Sequence, residues 1–302
     1  MTEARQDFIA TQQRMLDRYG IEAESRFVDV PVVEGQAHVL VSGEGSAVMI
    51  VNGIGIPAAM WAPLMAELGG FRLFAVDLPA YGLTDTTLGF AEDLRRNAVR
   101  FLDEVLDGLG LESPAFLANS LGSLWTNWLA LDRPERVKVM VHVGCPAIVL
   151  DTSAPLPMRL LSARPLGRVL TRLRPPSESQ VEELSRMVNE YPLTPELADL
   201  ILATERLPDF RHTFLSMLNA LLRLRGSRPA MRLTAEQLTR VTQPTLVFWG
   251  QDDPFGSVEV GERMVKAMPD AELHVVGGGH APWLTQAERI GPIVMRFLRQ
   301  HE

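Results

Sequence analysis

The chain has 302 residues, a formal net charge of −8, and hydrophobic and charged fractions of 46% and 22%. These values fit a folded globular protein and exclude a disordered tail, a fibre or a coiled coil. The acidic balance argues against nucleic acid as a partner, and no apolar run reaches the ~18 residues that would make a membrane an expected one.

The first twenty residues mix charges through their apolar positions, so no signal peptide is expected. The single cysteine, Cys145, leaves no internal disulfide or cysteine metal cluster to expect, and a reducing, cytoplasmic setting is the simplest reading. Residues 3–19 read as a helix that can pack on the core or on another subunit, which leaves a homo-oligomer open. Residues 26–33 and 37–41, joined by Glu34-Gly35-Gln36, read as an antiparallel hairpin at a sheet edge. Short apolar runs follow at 47–51, 73–76, 115–117 and 137–143, each ending in turn-forming residues. Helix-period stretches lie between them. The clearest is 90–109, where Phe90, Leu94, Ala98, Phe101, Leu102, Val105 and Leu109 recur three or four apart. Strands alternating with helices predict an α/β fold built on a mostly parallel central sheet with flanking helices.

The rhythm breaks after Val149. Residues 149–240 read as helical, dense in proline and arginine, with no convincing strand. This stretch carries a net +3 against −11 for the rest, so it reads as a basic insert in an acidic core. The sheet pattern then returns with strands at 244–249 and 272–276 and helices at 258–267 and 287–299. The expected division is a core in two parts, 1–148 and 241–302, split by a helical cap at 149–240.

Residues 114–125 read as a strand, a sharp turn and a helix. Within them Ala118-Asn119-Ser120-Leu121-Gly122 resembles the G-x-S-x-G nucleophile elbow, with Ala for the first Gly. Such a turn needs small residues two before and two after the serine, because neighbouring backbone passes close by. An ordinary strand-to-helix turn with a serine cap is the competing reading. A hydroxyl needs a base to take its proton, so an acid and a histidine should follow in the order Ser, acid, His. Strand 244–249 runs into Gly250-Gln251-Asp252-Asp253-Pro254, and the last strand into Gly277-Gly278-Gly279-His280. Both lie past strand C-terminal ends, where open α/β sheets gather reactive groups.

Together these segments resemble the α/β-hydrolase superfamily over nearly the whole length. The resemblance implies Asp253, in a G-x-x-D-P turn, as the acid; Asp252 and Asp151 are the rivals. It implies His280, in a G-H-x-P segment, as the base acting on Ser120, with Asp253 holding the imidazole tautomer. His38, His142, His212, His274 and His301 have no such setting, and His142 and His274 fall within strands. An oxyanion hole needs two N–H donors, each worth ~3–4 kcal/mol. One should be Leu121, directly after the nucleophile. The loop Asn52-Gly53-Ile54-Gly55 is similar to the family's H-G-x-G loop and implies Ile54 as the other. Gly53 and Gly55 let the backbone approach closely. Asn52 stands where His is usual, which puts the loop's geometry in question. Asp77-Leu78-Pro79-Ala80-Tyr81-Gly82 looks like the family's D-x-P-G-x-G turn, with Ala80 for Gly, and takes a structural role.

A serine nucleophile argues against the dehalogenase and epoxide-hydrolase branches, which use Asp. The main expectation is a cofactor- and metal-free serine hydrolase cleaving a small-molecule ester or lactone through an acyl-enzyme. The alternative is a C–C bond hydrolase of β-diketone-like ring-cleavage products, a branch that often has Asn before the serine, as Asn119 stands here. That branch usually carries a cap arginine; Arg206 is merely nearby. A third reading is a binding protein on the same fold, without turnover. Leu156, Met158, Leu160, Leu161, Phe214, Met217, Leu218 and Leu221 are candidates to line an acyl pocket, and Trp61, Trp125, Trp128 and Trp283 to form an aromatic wall.

Overall fold

The computed structural model describes residues 2–302. In chain order, helix α1 (Glu3–Arg18) precedes strands β1 (Glu24–Val30), β2 (Gly35–Ser42) and β3 (Ser46–Val51). Helix α2 (Ala62–Met65), strand β4 (Phe71–Val76), helix α3 (Leu94–Leu109), strand β5 (Ala115–Ala118), helix α4 (Leu121–Asp132) and strand β6 (Val139–Val143) follow. Then come five helices, α5 (Leu156–Leu161), α6 (Arg164–Leu173), α7 (Glu178–Met187), α8 (Pro195–Glu205) and α9 (Phe210–Leu221). A two-stranded ribbon, β7 (Leu222–Arg223) with β8 (Gly226–Ser227), and helix α10 (Ala235–Leu238) lead back to β9 (Thr245–Gly250), α11 (Val258–Ala267), β10 (Ala271–Val276) and α12 (Trp283–Gln300).

One eight-stranded sheet runs in the order β1-β2-β4-β3-β5-β6-β9-β10. The pairings β1/β2 and β2/β4 are antiparallel and all others parallel. Every residue of β5, β6 and β9 is buried. That is why these strands read as unbroken apolar runs: helices cover both faces. The outer strand β1 alternates exposed and buried positions at its end, as a half-covered edge should.

The expected hairpin at the edge is present, with the turn made by a short 3-10 segment, Pro31–Val33. The helix expected over 90–109 begins only at Leu94. Phe90 matched the helical spacing because it packs against Phe101 and Trp125 from the preceding loop. The ribbon β7/β8 corrects the expectation of no strand in 149–240. Two-residue strands are too short to show a period of two. The last helix starts at Trp283, before the expected residue 287, because the chain bends at Gln286 (φ −132°, ψ 26°) and then continues as helix.

Helix α1 packs against the chain's own insert. It buries Phe8, Met15 and Leu16 and adds Arg18–Glu196 and Arg14–Asp199 ion pairs to α8, at 3.0 and 3.6 Å. Among the described residues, no helix is long and apolar enough to cross a membrane.

Candidate active site

The tip of β5 turns abruptly into α4 at Ser120, which holds φ 51° and ψ −111°. A non-glycine residue at positive φ is strained and persists only where its surroundings over-determine it. Here the Ser120 carbonyl accepts from the N–H groups of Ala147 and Leu124, at 2.9 and 3.1 Å. Gly122 must be glycine, since a Cβ would run into the Val51 carbonyl and lie 2.6 Å from that of Asn52. This close approach of α4 to β3 is the physical content of the motif's last position. Ala118, fully buried, fits where the motif usually has glycine.

Asp253 and His280 meet as expected. His280 Nδ1 lies 2.9 and 3.1 Å from the two carboxylate oxygens. The carboxylate also accepts from the N–H groups of Cys145 and Phe255, each at 2.9 Å, so the buried charge is fully partnered. The Phe255 ring stacks on the imidazole with centroids 4.0 Å apart. The rival acids are elsewhere: Asp252 is exposed, and Asp151 pairs with Arg263 at the surface, which lowers its pKa. On the far side of the imidazole, Nε2 is buried with no hydrogen-bond partner among the described residues. Ser120 and His280 line one cavity. The Ser120 hydroxyl makes no hydrogen bond to Nε2.

The loop after β3 reaches the nucleophile. A Cβ on Gly53 would lie 3.3 Å from Ser120 Cβ and 2.7 Å from Asn119 Oδ1. Among the described residues, neither the Ile54 nor the Leu121 N–H meets a backbone acceptor. Asn52 is fully buried and donates to the Val76 carbonyl at 3.1 Å, so it braces the loop against β4. The stronger brace is Asp77. Its carboxylate accepts from the Ala58 and Leu83 N–H groups at 2.7 and 2.9 Å and bonds His38 Nδ1 at 2.7 Å. One buried carboxylate therefore joins the loop after β3, the turn after β4 and strand β2. Asn119 is committed to structure as well: its amide donates to the Val143 and His280 carbonyls at 2.7 and 3.1 Å.

The cavity measures about 570 Å³ and lies between the strand ends and the insert. Of the eight apolar candidates for its lining, Met158, Leu161 and Phe214 are there. Met217, Leu218 and Leu221 follow Phe214 along the same face of α9 but are buried outside the lining, Leu160 is half-buried outside it, and Leu156 is largely exposed. The aromatic wall also differs from expectation. Only Trp283 of the four tryptophans faces the cavity, stacked on Trp61 behind it, and Phe210, Phe214 and Phe255 supply the rest. Trp125 is buried against Phe90 and Phe101. His142 is also core, its pKa lowered to about 3 by burial.

Two carboxyl groups in the lining gave no sequence signal. Glu190 and Glu205, from the insert, are both pushed up to about 7 by burial. Arginines 172, 174, 206 and 211 also border the cavity, but all four are exposed. A smaller cavity of about 180 Å³, lined by residues such as Ser46 and Glu302, sits at the opposite ends of the strands and contains none of these groups.

Residues 46–287 match the family model for the α/β hydrolase fold, and the chain belongs to that family of hydrolases. It is 30% identical over 293 residues to a 2-hydroxy-6-oxononadienedioate/2-hydroxy-6-oxononatrienedioate hydrolase of Burkholderia vietnamiensis, covering 92% of this chain and 96% of that protein. It is 26% identical to a 2-hydroxy-6-oxo-6-phenylhexa-2,4-dienoate hydrolase of Burkholderia cepacia, covering 86% and 90%. Among solved structures, carboxylesterase CesB from Bacillus subtilis superposes with a TM-score of 0.78 at 22% identity, covering 98% of this chain and 99% of that one. At that identity the likeness speaks for the fold.

Proposed function

We propose that Ser120, His280 and Asp253 form a hydrolytic triad and that residues 149–240 act as its cap. The carrying observation is the Asp253–His280 pair, with Nε2 unpaired among the described residues in the same cavity as a strained Ser120 at the start of α4. In this reading Nε2 takes the Ser120 proton as Oγ adds to a substrate carbonyl. The Ile54 and Leu121 N–H groups receive the oxyanion. The bond to the leaving group breaks, the leaving group takes the proton from His280, and water then releases the acyl group from Ser120 by the same steps.

The substrate this reading favours is a vinylogous β-diketone, cleaved at a C–C bond beside its ketone. Its support is the full-length relatedness, cap included, to hydrolases of that kind. Ester cleavage by the same residues is the second reading, favoured by one feature of the cavity. The dienedioates named for those relatives carry carboxylates, whereas the arginines bordering this cavity are all exposed and its buried titratable groups are Glu190, Glu205 and His280. The test compares a 2-hydroxy-6-oxo-dienoate, followed by loss of its dienolate colour, with p-nitrophenyl esters, each against Ser120→Ala. Dienoate cleavage that depends on Ser120 supports the first substrate, and ester cleavage alone supports the second. Turnover of neither, with binding retained, overturns both in favour of a non-catalytic binding protein.

A further inference from the structure

One short stretch of the insert, residues 188–190, grips both loops that carry the acid and the histidine. The Val188 carbonyl accepts from the His280 N–H at 3.0 Å. Asn189, at φ 57°, donates from its amide to the Asp252 carbonyl at 2.6 Å. A single oxygen of Glu190, Oε1, accepts from the N–H of Gly279 at 3.0 Å and from that of Ala281 at 2.8 Å. The fit leaves no space: a Cβ on Gly279 would meet the Val188 carbonyl and stand 2.7 Å from Asn189 Cβ. Glu190 is only 3% exposed and lines the cavity beside His280.

Burying a carboxyl is costly unless it is bonded. The two N–H groups that bond this one are those of the residues before and after His280. Holding both fixes the backbone on each side of the histidine, and with it the direction in which the imidazole leaves the chain. We propose that Glu190 is a positioning residue for the reaction: by bonding the N–H groups that flank His280, it aims the imidazole at Ser120 and makes the triad's geometry depend on a seated insert. This role rests on the triad reading above. Its agent is the acceptor oxygen, so an amide serves in place of the carboxyl, whereas a side chain one methylene shorter does not reach both donors.

The experiment measures fluorophosphonate labelling of Ser120 and p-nitrophenyl ester kinetics for the full chain and for Glu190→Gln, Glu190→Asp and Glu190→Ala. Thermal melts confirm that each variant is folded at the assay temperature. Misplacing a reacting group by about 1 Å costs on the order of 10²-fold. Glu190→Ala and Glu190→Asp are therefore expected to lose about 10- to 100-fold in labelling rate and kcat, with KM changed by less than about 3-fold. Glu190→Gln is expected to recover to within about 5-fold of the parent. The Nδ1 proton of His280, bonded to Asp253, should show a low-field NMR signal that broadens in Glu190→Ala and persists in Glu190→Gln. A folded Glu190→Asp or Glu190→Ala variant with the parent's kcat and an unchanged signal overturns the proposal, as does a Glu190→Gln variant as impaired as Glu190→Ala. A parent chain whose Ser120 is not labelled at all removes the triad, and this role with it.

Discussion

Phe214, on α9 of the insert, stands directly over Gly55 of the loop after β3. A Cβ on Gly55 would lie 3.1 Å from the ring, and Gly55 itself holds φ 79°. The insert is thus seated on the backbone that carries the Ile54 N–H, and one aromatic ring closes the cavity there. Phe214→Ala should widen that end. With p-nitrophenyl esters of increasing length, the preferred acyl chain should lengthen, and kcat/KM for the shortest ester should fall about tenfold, the worth of one or two lost methylene contacts. An unchanged length profile would place the acyl group elsewhere.

In the proposed triad, Asp253→Asn keeps the shape of the acid but loses the charge that would stabilise the imidazolium. Activity should fall roughly 10³- to 10⁴-fold. Asp252→Asn, at an exposed side chain, should change it less than about twofold, within the range of surface substitutions. Steady-state kinetics of the two variants side by side decide between the neighbouring acids.

Ala80 occupies the left-handed region at φ 65°, where the similar family turn has glycine. That conformation costs a non-glycine residue ~1–2 kcal/mol, against ~0.4–1 kcal/mol for the extra freedom glycine gives the unfolded chain. Ala80→Gly should therefore stabilise the fold by up to about 1 kcal/mol in urea titrations. Gly82→Ala should do the opposite, because its Cβ would collide with the Asp77 carboxylate at φ 138°.

Glu205 is buried, and among the described residues its carboxyl meets only the Gln180 amide, at 3.4 Å. Its pKa is raised by burial from 4.5 to about 7. Between those values the folded chain keeps a proton that the unfolded chain has released, so stability is highest below the lower value and falls as pH rises through the upper one. Glu205→Gln should remove this slope. At pH 8 the variant should be more stable by up to about 3 kcal/mol, and the two proteins should converge below pH 4. Melts across that range check both the sign and the convergence.

The sheet was readable because its inner strands are buried on both faces and appear as plain apolar runs. Ser120, Asp253 and His280 were readable because each sits in a turn whose small residues are required by close backbone contacts, as at Gly122 and Gly279. The cavity wall was not. Phe214 and Leu218 lie on one helix with the same chemistry, and only tertiary packing decides that Phe214 faces the cavity and Leu218 the interior. Glu190 was invisible for a related reason: its partners are backbone N–H groups about ninety residues away, which no spacing rule encodes. Asn119, which stands before the serine as in the C–C hydrolase branch, has its amide occupied by two carbonyls.

The packing of α1 on α8 has a consequence for traffic into the enzyme. A roof hinged only where it leaves and rejoins the main body can swing open like a door. Here the leading helix bolts it down at a third point through Arg14 and Arg18, while residues 188–190 latch its other side. Tied down on opposite sides, the roof is expected to stay seated, with molecules entering past the exposed arginines 172, 174, 206 and 211 that border the cavity.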